Sequence, residues 1–249
     1  MSDDAVPAEI TVYAGPDQVA EAVAARLTAT LADVQARGRT PQVCLTGGGI
    51  ATKVYARLAA DGPGDVDWSQ VDLWWGDERF VPAGDSERNA DGTLEVLRGP
   101  LRLDDRFVHV MPAADAGADL DEAAAAYAAE LGSTVFDVCL LGMGPDGHVA
   151  SLFPGHPSSA TPGTVIAVRD SPKPPPDRIS VTMPVIDRSR QVWFLVSGAE
   201  KSAAVARAVL GTGLDPVPAA HAKGTEATVW LIDAAAAADL PADVEVMQG

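Results

Sequence analysis

Apolar residues along this chain fall into two alternating rhythms. Short, nearly continuous apolar runs occupy residues 10–13 (ITVY), 42–45 (QVCL), 71–75 (VDLWW), 136–141 (FDVCLL), 191–196 (QVWFLV) and 228–232 (TVWLI). Runs of that kind predict strands covered on both faces. Between them the spacing changes. Val19, Val23, Leu27, Leu31 and Val34 recur every three or four positions and predict a helix over 17–37, stopped by Gly38. Further helices are predicted over 51–60, around Leu94 and Leu97 with Asp85 or Ser86 as the cap, and over 199–210. Another covers 119–131, where acidic residues open an alanine-rich stretch as the helix dipole favours. Residues 106–110 and 178–183 read as additional strands. The alternation predicts an α/β fold: one doubly wound, mainly parallel sheet with helices on both faces, a Rossmann-like three-layer sandwich. There is no internal repeat, and SPKPPP at 171–176 is an extended loop rather than a linker. A single domain spanning 1–249 is expected.

Charge narrows the possible partners. Eighteen Lys and Arg against 35 Asp and Glu give a net charge of −17. Nucleic acid needs a basic footprint, so it is not an expected partner. Anionic membrane surfaces are excluded on the same ground. A small anionic ligand remains compatible only if cations gather in one pocket, because the overall field opposes its approach. No apolar run approaches the ~18 residues that a membrane span requires. The opening MSDDAVPAEI lacks a charged-then-apolar signal pattern, and a cytoplasmic protein is expected. Cys44 and Cys139 both sit in strand-like runs and read as buried, inert thiols rather than a disulfide.

The chemistry concentrates at the ends of predicted strands, where open α/β sheets bind ligands. Residues 136–157, FDVCLLGMGPDGHVASLFPGHP, run from an apolar strand into a glycine-rich loop carrying Asp146 and His148. Gly142, Gly144 and Gly147 also spell the dinucleotide fingerprint, which demands a following helix and an acidic residue about 20 positions on. Pro154 and Pro157 interrupt that helix, and no acid lies between Asp146 and Asp170. The loop therefore reads as a catalytic turn with His148 as general base, a core histidine being the plainer alternative. Gly47, Gly48 and Gly49 follow another strand and precede a helix, which suits phosphate binding as well as a simple tight turn. Arg178 at a strand start and Lys201 early in a helix supply cations. Taken singly each is more commonly a solvated charge, but a lysine there is opposed by the helix dipole unless an anion is near. Lys173 and Arg169 are secondary candidates. Asp77, Glu78 and Arg79 follow VDLWW, again at a strand end, with a capped polar turn as the alternative reading. His109, His156 and His221 lack comparable company, His156 is poorly spaced from His148 for metal ligation, and no metal is expected. Ser151 is not in a nucleophile elbow.

Residues 136–157 resemble the signature of the 6-phosphogluconolactonases, G-x-G-x-D-G-H-x-x-S-L-F-P after a strand. TGGG at 46–49, GDERFVP at 76–82, SPKPPPDRISVTMPVI at 171–186, VSGAEKSAAV at 196–205 and PVPAAHAKG at 216–224 are similar to that family in the same order. The resemblance implies hydrolysis of a sugar-phosphate lactone, 6-phospho-D-glucono-1,5-lactone, with no cofactor. It assigns phosphate to the 46–49 loop, Arg178 and Lys201, and the water to His148, oriented by Asp146. Asp77 would orient ring hydroxyls or the water, and Arg79 would hold the lactone or its oxyanion. The related glucosamine-6-phosphate deaminases carry G-H-I-A-F-N-E-P, with a glutamate five residues after the histidine. Here that position is Phe153. A non-catalytic sugar-phosphate sensor would keep the cations and the glycine loop but need not keep Asp146 and His148. A monomer or weak dimer is expected.

Overall fold

The computed structural model describes residues 8–211 and 217–249. The opening seven residues, and Pro216 in the late PVPAAHAKG segment, lie outside that description. The chain runs β1 (Glu9–Tyr13), α1 (Pro16–Ala36), β2 (Gln42–Leu45), α2 (Gly49–Asp61), β3 (Asp72–Trp75), β4 (Asp77–Arg79), α3 (Asn89–Leu101), β5 (Val108–His109), α4 (Leu120–Leu131) and β6 (Val138–Gly142). It continues β7 (Val165–Val168), β8 (Arg178–Val181), α5 (Met183–Asp187), β9 (Gln191–Val196), α6 (Ser202–Leu210), α7 (Pro218–His221), β10 (Ala227–Asp233) and β11 (Met247–Gln248).

Eight strands form one sheet in the order β11-β1-β10-β9-β6-β2-β3-β5, every neighbouring pair parallel. Strand side chains alternate between two cores, as the pleat requires. Val43, Leu45, Leu73, Trp75, Val138, Leu140, Trp193 and Leu195 pack with α1, α2 and α3 on one face. Cys44, Trp74, Cys139, Leu141, Val192, Phe194 and Val196 pack on the other with α4 and α6. Covering of both faces is what the continuous apolar runs predict. From β2 the chain proceeds to β3 and β5 at one edge, whereas from β6 it proceeds to β9 and β10 toward the other. Adjacent β2 and β6 therefore flank the reversal of winding, where a crevice opens beyond the carboxyl ends.

Three departures from the sequence reading matter for the site. The strand at Arg178 does not join the main sheet. β8 pairs antiparallel with both β4 and β7 in a separate three-stranded sheet, whose Ile166, Val168, Ile179 and Val181 close the second core. The Asp77–Arg79 segment is accordingly a strand, not a polar turn. The helix expected behind Asp85 or Ser86 starts at Asn89 with Arg88 at its cap position and no cap from its side chain. Its first amides are satisfied instead by Glu78 of β4. α4 behaves as its acidic start predicts, with Asp119 and Glu122 bonding reciprocally in a capping box. Among the described residues no helix is long and apolar enough to cross a membrane.

The carboxyl ends of β2 and β3 are each tied off by a buried tyrosine, from opposite faces. Tyr55 Oη of α2 donates to the Thr46 carbonyl at 2.7 Å and accepts from the Thr46 amide at 3.1 Å. Tyr127 Oη of α4 accepts from the Trp75 amide at 2.9 Å, with the Trp75 carbonyl at 3.2 Å. Burial pushes both phenols far above their ordinary pKa, so each remains a donor as well as an acceptor. Tyr55→Phe leaves both backbone groups of buried Thr46 without partners, and a loss of about 1–3 kcal/mol is expected. Urea unfolding checks this; a midpoint equal to wild type would show that water replaces the hydroxyl freely.

Candidate active site

The loops leaving β2 and β6 touch each other. The Gly142 amide donates to Thr46 Oγ1 at 3.1 Å, joining the strand ends across the reversal point. Beyond them lies a cleft of ≈ 300 Å³. Gly47, Gly48 and Gly49 form one wall, and α2 begins at Gly49 without a side-chain cap, so no side chain satisfies its first amides. Gly47 is required by close approach: a Cβ there would lie 2.1 Å from Asn89 Oδ1.

His148 and Asp146 form the opposite wall. Nδ1 of His148 lies 2.5 Å from Asp146 Oδ1, and Lys173 Nζ lies 3.4 Å from the same nitrogen and 3.6 Å from the carboxylate. An imidazole whose Nδ1 faces a carboxylate carries its proton there, leaving the lone pair on Nε2. Burial lowers the His148 pKa, partly opposed by Asp146 and assisted by the Lys173 charge, so the ring is held neutral. Burial pushes the Asp146 carboxyl up, but His148 and Lys173 outweigh it and the group sits below its ordinary value. The ring packs 4.7 Å from Phe153. The glycines of the false dinucleotide motif now have a local reason: a Cβ on Gly144 would stand 2.1 Å from His148 Cε1 and 2.2 Å from Nδ1.

The small antiparallel sheet brings the remaining charges in. Arg79 and Arg178 are register partners across β4 and β8, and both line the cleft. Arg178 is 5% exposed, donates to the carbonyls of Lys173, Pro174 and Pro175, and lies 5.8 Å over the Phe153 ring. It thus folds the proline loop over the cleft, with Nη1 3.9 Å from Asp77 Oδ2. Burial lowers its pKa, and the neighbouring Arg79 charge adds to that, against the pull of Asp77. Asp77 is fixed by a 2.7 Å bond from Ser151 Oγ. Lys201 lines the same cleft, its pKa lowered by burial and by the Lys173 charge.

Of the residues given a role in the sequence, Gly47, Gly48, Gly49, Asp77, Arg79, His148, Arg178 and Lys201 line this cleft directly, and Asp146 reaches it through His148. Lys173 belongs to it too. Arg169 does not: it is exposed and paired to Asp121 at 2.7 Å. Two contributors have roles that the sequence did not give them. Buried Glu78 accepts from the amides of Arg79, Asn89 and Ala90 at 2.9, 2.7 and 2.8 Å, although burial raises its pKa overall. Asn89 accepts from Arg79 Nη1 at 2.8 Å and donates to the Asp77 carbonyl at 3.1 Å. The only sequence signal for the latter was an asparagine at a helix start. His109, expected to lack company, lies between Asp72 at 2.7 Å and Glu130 at 2.6 Å and stacks on Trp74. Its carboxylates bind opposite ring nitrogens outside the cleft. Among the described residues no cluster of three or more His, Cys, Asp or Glu side chains is arranged to hold a metal ion.

Comparison with known proteins gives a consistent result. The family described as glucosamine-6-phosphate isomerases/6-phosphogluconolactonase matches residues 14–230. A 6-phosphogluconolactonase of Streptomyces coelicolor is 47% identical over 247 residues, covering 94% of this chain and 95% of the relative. One from Mycobacterium tuberculosis is 44% identical, covering 93% and 98%. The crystal structure of 6-phosphogluconolactonase from Thermotoga maritima superposes with a TM-score of 0.80 at 27% identity, covering 90% of this chain and 99% of that one.

The packing of His148 against Gly144 is directly testable. Gly144→Ala drives a methyl group into the imidazole, and since misplacement of a reacting group by about 1 Å costs on the order of 10²-fold, a loss of that size in kcat is expected. Circular dichroism should show an unaltered fold. Wild-type turnover in the variant would mean that the ring position is not critical.

Proposed function

This chain belongs to the glucosamine-6-phosphate isomerase/6-phosphogluconolactonase family, and within it we propose that it hydrolyses 6-phospho-D-glucono-1,5-lactone to 6-phospho-D-gluconate. The observation that carries the mechanism is the half-buried Asp146–His148 pair facing a glycine loop and clustered cations across one cleft. Neutral His148 Nε2 takes a proton from water as its oxygen attacks the lactone carbonyl, forming a tetrahedral oxyanion. Asp146 holds the Nδ1 proton and stabilises the imidazolium. The oxyanion then collapses, the bond to the ring oxygen breaks, and that oxygen takes the proton from His148 to become a hydroxyl. The new carboxylic acid ionises to the product anion. Arg79, anchored by Asn89 and the Glu87 carbonyl, supplies positive charge to the oxyanion. Asp77, fixed by Ser151, orients substrate hydroxyls.

The phosphate is assigned to the amides at Gly47, Gly48 and Gly49, the start of α2, Arg178 and Lys201. Two arginines facing each other across a strand pair repel in the absence of an anion, which supports this assignment. The choice of lactonase over deaminase rests on Phe153. The carboxylate expected of the deaminase motif is replaced by an aromatic ring packed on His148 and beneath Arg178. Opening a sugar ring calls for an acid at that point; opening a lactone does not.

A pH-stat assay with 6-phosphoglucono-δ-lactone tests the activity, and ammonia release from glucosamine 6-phosphate without lactone turnover would overturn it. His148→Ala is expected to lower kcat by about 10² to 10⁴, with product binding little changed. Because His148 must be neutral to act and burial depresses its pKa, kcat/KM should rise with pH along an acid limb whose midpoint lies below the ordinary histidine value. An acid limb at or above that value would exclude His148 as the titrating base.

Lys201 offers the cleaner test of phosphate recognition, since Arg178 also holds the proline loop. Lys201→Met is expected to raise KM at nearly constant kcat, because the phosphate charge is the same in ground and transition states. The lost charged hydrogen bond corresponds to about 1.5–3 kcal/mol. The penalty should vanish with unphosphorylated gluconolactone; an equal penalty on both substrates would remove Lys201 from the phosphate.

A further inference from the structure

Lys173 enters the cleft from the SPKPPP loop, and the hydrolytic steps above assign it no part. A lysine on a loop ordinarily holds no single partner, because ordering its long side chain costs entropy. Here the backbone beneath it is fixed. Its amide donates to Ser171 Oγ at 3.3 Å, its carbonyl accepts from Arg178 Nη2 at 3.2 Å, and the Ser171 amide closes the loop onto the Pro176 carbonyl at 3.0 Å. Pro172 before it and Pro174 after it restrict the chain on both sides. Among the described residues its one ion pair is with Asp146, Nζ to Oδ1 at 3.6 Å. The same oxygen faces His148 Nδ1, and Nζ lies 3.4 Å from that nitrogen. The ammonium therefore meets the Asp146–His148 pair at its Nδ1 end.

We propose that Lys173 is a positioning residue of the lactonase: its ammonium shares the Asp146 carboxylate with the ring, fixing one proton on Nδ1 and opposing a second on Nε2. This rests on the lactonase reading above and adds to it a means of keeping the base unloaded. A carboxylate oxygen between an ammonium and a ring N–H stays ionised, since both neighbours favour its charge. The ring itself feels charges of both signs. Asp146 on its own loop and Asp77 on β4 favour the imidazolium, and Lys173 opposes it. Arg79, Arg178 and Lys201 line the same cleft. Without Lys173 the two carboxylates act on the ring with one opposing charge fewer, and load Nε2 with a proton before water is attacked. The imidazolium formed during hydrolysis is also less stable beside an ammonium, so it returns its proton more readily to the departing ring oxygen.

NMR of the His148 ring nitrogens in isotope-labelled protein reads this coupling without any assay of activity. Lys173→Met should move the imidazole titration to higher pH, and Lys173→Arg, which keeps the charge, should leave it near the wild-type midpoint. In the lactonase assay the acid limb of kcat/KM should move the same way in Lys173→Met, with a smaller loss on the plateau than on the limb. The loss should be equal for 6-phosphoglucono-δ-lactone and for unphosphorylated gluconolactone, because the charge acts on the base and not on the phosphate. The Lys173 side chain is 40% exposed, and circular dichroism should show an unaltered fold. An unmoved ring titration in Lys173→Met, or a penalty confined to the phosphorylated lactone, overturns the proposal. A shifted titration in a chain that turns over no lactone would overturn the lactonase reading and leave the Lys173–His148 coupling standing.

Discussion

The Glu78 carboxylate binds three backbone amides at once, and the charged side of the cleft hangs on that bond set. β4 is three residues long and α3 begins ten residues after it. So short a strand has few backbone bonds of its own to set its register against a helix start, and the Glu78 clasp adds three. Glu78 supplies acceptors to the strand at Arg79 and to the helix at Asn89 and Ala90, so both elements are indexed to one pair of oxygens. Arg79 and Asn89 then meet because their own backbones are fixed, and Asp77 follows through its carbonyl bond to Asn89. The carboxylate is buried without a direct cationic partner, yet three N–H donors and the Arg88 charge oppose the desolvation that raises its pKa. A glutamine could accept at one oxygen only.

A chain with a net charge of −17 carries its working cations where the rest of its surface cannot neutralise them. Arg178 and Arg79 are opposed across β4 and β8, while Lys173 and Lys201 approach from separate loops. Burial depresses the pKa of both Arg178 and Lys201, a sign that their charge is maintained against desolvation. Such a cluster attracts an anion over short range only, since screening limits it to about 10 Å. Under the proposed phosphate assignment, selectivity comes from the cleft itself, not from the field of the whole molecule.

Much of this was legible in the sequence because the physics is local or periodic. Apolar runs such as QVWFLV announce strands covered twice, and their carboxyl ends locate the glycine turns, Asp77 and His148. What could not be read was pairing. Arg178 to Val181 has the composition of any strand, and only tertiary contacts assign it to a separate antiparallel sheet opposite Arg79. Glu78 looked like one charge among three in a polar turn, because a side chain that caps a helix eleven residues away leaves no periodic trace. His109 looked solitary because Asp72 and Glu130 lie 37 and 21 residues from it in sequence.

Tyr55 and Thr46 stand nine residues apart, and their two hydrogen bonds close a small ring from the end of β2 through the glycines to the second turn of α2. Glycine ordinarily loses more freedom on becoming ordered than any other residue. Here that loss falls at folding, since the ring is shut by a buried hydroxyl whether or not a ligand is present. The three most flexible residues of the cleft therefore enter each binding event already immobilised. Association need not order them again, and this part of the surface meets whatever enters the cleft as a rigid cup rather than a closing hand.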